Sequence, residues 1–167
     1  MKRRLFTAII LILTLCIALT GCKVSEKEKL ANAESFLMRV LDTPHEDLIE
    51  IAESLPITFN EAGTVGAVTP EDSKPLIDAI YELLGDEMEE TARVKYSKNG
   101  GFGLLDPVDG FTPKSVTFEG GENNYRFIMD VTYDDSGEAK DGTVSGRIQF
   151  DDKGKINYFS VDRWSWK

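Results

Sequence analysis

Two cysteines, one histidine and two tryptophans are all that this chain of 167 residues holds of those types. Both cysteines, Cys16 and Cys22, fall at the very start, so the rest of the chain has no thiol for a disulfide, a Cys/His metal site or nucleophilic catalysis. With His45 alone, a Ser-His-Asp arrangement would have to be built on that one residue, and no sequence signal marks its serine. Bases are also scarce: 19 against 29 acids, a net charge of −10. Binding nucleic acid depends on Lys and Arg neutralising phosphate, so this balance excludes it. The uncharged run at residues 5–19 has fifteen residues, short of the roughly 20 that cross a bilayer.

What that run does have is a cationic start (Lys2, Arg3, Arg4) and small residues after it, the three-part layout of a secretory signal peptide. Its end, Leu19-Thr20-Gly21-Cys22, resembles the lipobox of bacterial lipoproteins. That resemblance implies cleavage before Cys22, diacylglyceryl transfer to its thiol, and a mature protein held on the extracytoplasmic face of the cell membrane, its lipid partner reached through Cys22. Two acyl chains hold stably where one, at about 0.8 kcal/mol per buried CH₂, binds marginally. The expected division is a signal peptide at 1–21, a lipidated cysteine and short tether at 22–25, and one α+β domain over 26–167. Removing 21 residues leaves 146, a normal single-domain size. Three bases leave with them, so the mature part carries 16 bases against 29 acids, near −13. This acidity keeps a surface protein soluble or invites a cationic partner. Lys23, Lys27 and Lys29 would suit anionic head groups.

Leu30, Ala33, Phe36, Leu37, Val40 and Leu41 recur at helical spacing and predict a helix over 26–41. Thr43, Pro44 and Glu46 read as a capping box opening a second helix with Leu48, Ile51, Ala52 and Leu55. Thr69, Pro70 and Asp72 repeat the device before Leu76, Ile77, Ile80, Leu83 and Leu84, with Gly85 as the stop. "ITF" between them suggests a short strand, and the residues around it a loop. From Thr91 the apolar period becomes two: "TARVKYS", "SVTFE", "YRFIMDVTY", "TVSGRIQF" and 155–166 read as strands. "GGENN", "DDSGEAKDG" and "DDKGK" read as the turns between them. Short turns between consecutive strands mean an antiparallel meander. Three amphipathic helices followed by a sheet with one apolar face give an α+β domain, the helices packed on that face. This layout resembles the cystatin-like and NTF2-like folds, in which helices cradle against a curved sheet. NTF2-like relatives include isomerases and hydrolases, so the resemblance leaves a small-metabolite enzyme open.

No cofactor or metal motif is present. The acidic turns miss the EF-hand pattern and use ordinary hairpin residues, and His45 sits at a helix start. The open face of the sheet is the better place for a site. Alternation sends Arg126, Ile128, Asp130 and Thr132 outward on one strand and Thr143, Ser145, Arg147 and Gln149 on the next. In the last strand, Phe159 and Val161 face the helices with Arg163 and Ser165 beyond, while Ile156, Tyr158, Ser160, Asp162, Trp164 and Trp166 share the open side. The expected binding residues are therefore Arg126, Asp130, Arg147, Tyr158, Asp162, Trp164 and Trp166, with Cys22 for lipidation. A one-residue slip would bury the tryptophans instead. Three functions stay open: a noncatalytic module binding a protein or small-molecule ligand, an immunity or inhibitor protein against an envelope-acting toxin or hydrolase, and an enzyme needing a partly apolar pocket.

Overall fold

The computed structural model describes residues 24–59, 66–99, 111–135 and 138–166. Cys22, the signal-peptide segment and residues 60–65 of the expected loop lie outside the described residues. Among the described residues four helices precede a meander: α1 Glu26–Val40, α2 Glu46–Ser54, α3 Lys74–Leu84 and α4 Glu90–Lys98, then β3 Phe111–Gly121, β4 Asn124–Asp135, β5 Glu138–Phe150 and β6 Ile156–Trp166. Between α2 and α3, Thr58–Phe59 (β1) pairs antiparallel with Gly66–Ala67 (β2). The large sheet runs β3-β4-β5-β6, every pair antiparallel, as the meander requires.

Local chemistry explains the helix ends. Ser25 caps α1, accepting from the Glu28 amide at 3.2 Å, and Glu26, Glu28 and Arg39 sit at the ends where the helix dipole favours them. Before α3, the Asp72 amide donates to Thr69 Oγ1 (3.1 Å), which donates to the Asp72 carboxylate (2.6 Å). Gly85, at φ +68°, ends the helix. Thr43 does something else than the expected cap of α2. Its amide donates to the Phe111 carbonyl (2.9 Å) and its hydroxyl accepts from the Phe111 amide (3.2 Å), so it ties the start of β3 to the helices. His45 starts α2 without a side-chain cap. Its Nε2 lies 3.0 Å from the Val40 carbonyl, which can only accept, so the ring donates.

The expected strand "TARVKYS" is instead part of α4. Ala92, Arg93, Tyr96 and Ser97 are the buried residues, a helical stripe, and Glu89 caps the start through the Ala92 amide at 3.0 Å. Arg93, which a strand would have turned away from Ala92 and Tyr96, is buried beside them on the helix. Its guanidinium lies 3.7 Å over the Tyr81 ring, Nε donates to the Tyr81 carbonyl (2.7 Å) and Nη1 to Asp86 (2.7 Å). The helix therefore fastens to α3 and the segment after it. "DDSGEAKDG" is also less of a turn than expected. β4 runs through Asp135 and β5 resumes at Glu138, with Lys114 and Asp141 paired at 2.6 Å. "DDKGK" is a turn: Asp151 accepts from the Lys153 and Lys155 amides at 2.9 and 2.8 Å, and Gly154 has φ +76°.

The core lies between helices and sheet. Phe36 of α1 meets Phe159 edge-on at 5.4 Å, and Phe159 stacks with Phe127 at 5.9 Å, with Met129, Ile148 and Ile156 fully buried around them. Gly146 pairs with Phe127, and a methyl group there would strike that ring.

Candidate functional site

The uncovered face of the sheet can be read row by row from the register. Glu119, Arg126, Arg147 and Ser160 align across the four strands; on one side lie Gly121, Asn124, Gln149 and Tyr158, on the other Thr117, Ile128, Ser145 and Arg163. Arg126 and Arg147 are thus direct cross-strand neighbours, a pairing of like charges that is destabilising unless relieved.

A bulge supplies the relief. Ser145 pairs with Arg163 and the next residue, Gly146, pairs with Val161, leaving Asp162 as the extra residue of β6. Freed from the alternation, the Asp162 carboxylate takes both ends of the Arg147 guanidinium, at 2.9 Å from Nε and 3.3 Å from Nη2, and accepts from the Ser160 hydroxyl at 3.0 Å. The hydrogen bond from Arg147 holds the Asp162 carboxyl below the usual carboxylate range, with the Arg126 charge adding to it. The same bond pushes the Arg147 pKa up. Arg126 is exposed, and among the described residues it has no side-chain hydrogen bond or salt bridge.

Arg126, Arg147, Tyr158 and Asp162 are therefore together. Asp130 is on the same face but two rows away, where Ser115 donates to it at 3.2 Å beside the Lys114–Asp141 pair. The tryptophan placement is corrected. A second bulge leaves Asn157 unpaired between Tyr158, opposite Gln149, and Ile156, opposite Phe150. Each bulge reverses the alternation, so Ile156 is buried in the core, Arg163 moves to the open face opposite Ser145, and Trp164 moves to the helix side opposite Val144. There the Trp164 ring stacks on Phe111 at 4.6 Å while staying 42% exposed. Position 166 pairs with Gly142 by its backbone; its side chain lies outside the described residues.

Sequence reasoning thus missed Arg163. The signal available was spacing: Ile156 and Phe159, and again Val161 and Trp164, are three residues apart where a regular strand gives two. With Arg163 included, the face gathers three arginines against Asp162 and Glu119. It is a locally cationic surface on an acidic chain, able to take a carboxylate or phosphate through guanidinium forks.

Clefts bordered by described residues open at the surface. One of about 530 Å³ is bordered by Val24, Lys29 and the two turns at Glu122–Asn123 and Asp151–Gly154. Lys29 closes part of it, donating to the Glu122 carbonyl at 2.8 Å and to Asn123 at 2.9 Å, so this lysine is engaged by the fold. Among the described residues no helix is long and apolar enough to cross a membrane. In comparisons with known proteins, the chain matches no family model, no curated protein and no solved structure.

Proposed function

We propose that this chain is a membrane-anchored envelope lipoprotein whose domain is a noncatalytic binding module, engaging an anionic group of its partner through the open face of the sheet. The observation that carries the reading is the grouping of Arg126, Arg147 and Arg163 on adjacent strands, Arg147 held in a fixed orientation by Asp162. Fixing a guanidinium in advance lowers the ordering cost of binding.

The order of helices followed by a four-stranded meander fits the cystatin-like or NTF2-like layout. In this domain the space between helices and sheet is occupied by Phe36, Phe127 and Phe159, which favours a surface for recognition over a chamber for chemistry. The lipid anchor rests on the sequence at Cys22. A short tether is consistent with it, since Val24 packs beside Gly154 only two residues later.

Two measurements test the parts separately. Cells fed labelled palmitate should label the wild-type chain in the membrane fraction and leave Cys22→Ser unlabelled; label on both, or on neither, would remove the anchor. Binding to envelope extract should be saturable for wild type and fall for Arg126→Ala and Arg147→Ala, with unchanged binding removing the face.

A further inference from the structure

The sheet has two edges, and the fold treats them differently. At β6, the Tyr96 hydroxyl donates to the Phe159 carbonyl and accepts from the Phe159 amide, both at 3.0 Å. Ile156 donates to the Glu87 carbonyl (2.8 Å) and accepts from the Glu89 amide (2.7 Å). Two bulges further break that edge. These are the devices by which sheets avoid pairing with other chains. At β3, Thr43 ties down Phe111, and Lys114 is an extra residue between Pro113 and Ser115. From Ser115 to Gly120, among the described residues, no backbone hydrogen bond joins β3 to anything but its own sheet.

Beside this open stretch runs a groove of about 680 Å³ between α1 and β3. Leu30 and Ala31 of α1 with Val116 and Phe118 of β3 make it apolar, and Lys27 and Glu34 stand on its α1 side. α1 runs antiparallel to β3: Lys29 near its start binds the turn after β3, and Thr43 beyond its end binds Phe111.

We propose that β3 is an interface strand, and that its occupant is a second copy of this chain, β3 joining β3 antiparallel into one eight-stranded sheet. Setting Thr117 opposite itself puts Val116 against the partner's Phe118 on the helix side, so each groove receives apolar side chains from the other copy. The same two-fold axis sets the two α1 helices antiparallel. Centring them between Leu30 and Ala31 puts Lys27 against the partner's Glu34, and Glu34 against the partner's Lys27. Neither residue has a salt bridge among the described residues. This self-complementarity of the groove is what favours a second copy over an unrelated extended peptide.

Cross-linking of the full chain tests it. Directly opposed residues on antiparallel strands have Cα atoms about 4.5 to 5.5 Å apart, within disulfide range. Thr117→Cys should therefore oxidise to a covalent dimer several-fold more than Glu119→Cys, which is also exposed on the same strand but would lie roughly 14 Å from its own copy at about 3.4 Å per residue. The unsubstituted chain, oxidised in parallel, reports what Cys16 and Cys22 contribute. Added to Thr117→Cys, Lys27→Glu or Glu34→Lys alone should reduce the yield, and the two together should restore it. Equal linking of Thr117→Cys and Glu119→Cys would overturn the proposal, as would failure of the double exchange to restore the yield. An unrelated peptide on the edge would leave Thr117→Cys unlinked to itself, which also overturns it.

Discussion

The Trp164 ring lies on the Phe111 ring with centroids 4.6 Å apart, although Trp164 is on β6 and Phe111 on β3, the opposite edges of the sheet. Neighbouring strands are about 4.8 Å apart, so a flat four-stranded sheet would hold its edges about three spacings apart. The sheet therefore curls until its two outer strands meet on the helix side at the end where β3 begins and β6 finishes, and Trp164 covers the buried Phe111. Trp164→Ala should destabilise by about 1 to 3 kcal/mol, from the stack and partial burial. A midpoint shift in urea with an unchanged slope would register it. A loss inside about 0.5 kcal/mol would mean that the ring is an ordinary surface group.

Tyr96 satisfies both backbone groups of Phe159 with one hydroxyl, and burial raises its pKa first of all. Tyr96→Phe leaves a buried donor and acceptor without that partner, which should cost about 1 to 3 kcal/mol. Equal stability of the variant in chemical denaturation would show that water replaces the hydroxyl freely.

Gly146→Ala should destabilise by roughly 1 to 3 kcal/mol, because the added methyl meets the Phe127 ring and the Ser160 carbonyl. Combining it with Phe127→Leu should recover part of the loss. If the double variant loses the sum of the two single losses, the clash is not with that ring.

Arg39 bridges α1 to the end of α3. It donates to the Leu83 carbonyl (2.9 Å), the Leu84 carbonyl (3.3 Å) and both oxygens of Glu87 (3.1 and 2.8 Å). The hydrogen bond from Arg39 lowers the Glu87 pKa. A carboxyl depressed in the folded state contributes stability above its unfolded pKa, about 4.3, and loses it as pH falls through the folded value. Glu87→Gln should therefore lower the thermal midpoint at pH 7, and the gap to wild type should close below about pH 4. A gap that stays constant down to that pH would show that the pair does not contribute.

The helices α1, α2 and α3 were legible because their apolar stripes repeat at helical spacing and turn residues flank them. α4 was not, because Ala92, Val94 and Tyr96 also alternate, and a buried arginine at position 93 imitates a polar strand face. The helix signal was there in Glu90 at the start and Lys95 and Lys98 at the end. On the open face, Arg126 and Arg147 follow from regular alternation in β4 and β5. The placement of Arg163 and Trp164 does not, since bulges at Asn157 and Asp162 each shift the parity of β6, and two such shifts fall within six residues.

The measurement that bears most directly on the binding face compares wild type with the double variant Arg126→Ala, Arg147→Ala in saturable equilibrium binding to envelope extract, at matched thermal midpoints. The proposed function predicts at least a tenfold loss of affinity, about 1.4 kcal/mol, that grows weaker as salt is raised. Undiminished binding by a folded double variant would contradict it.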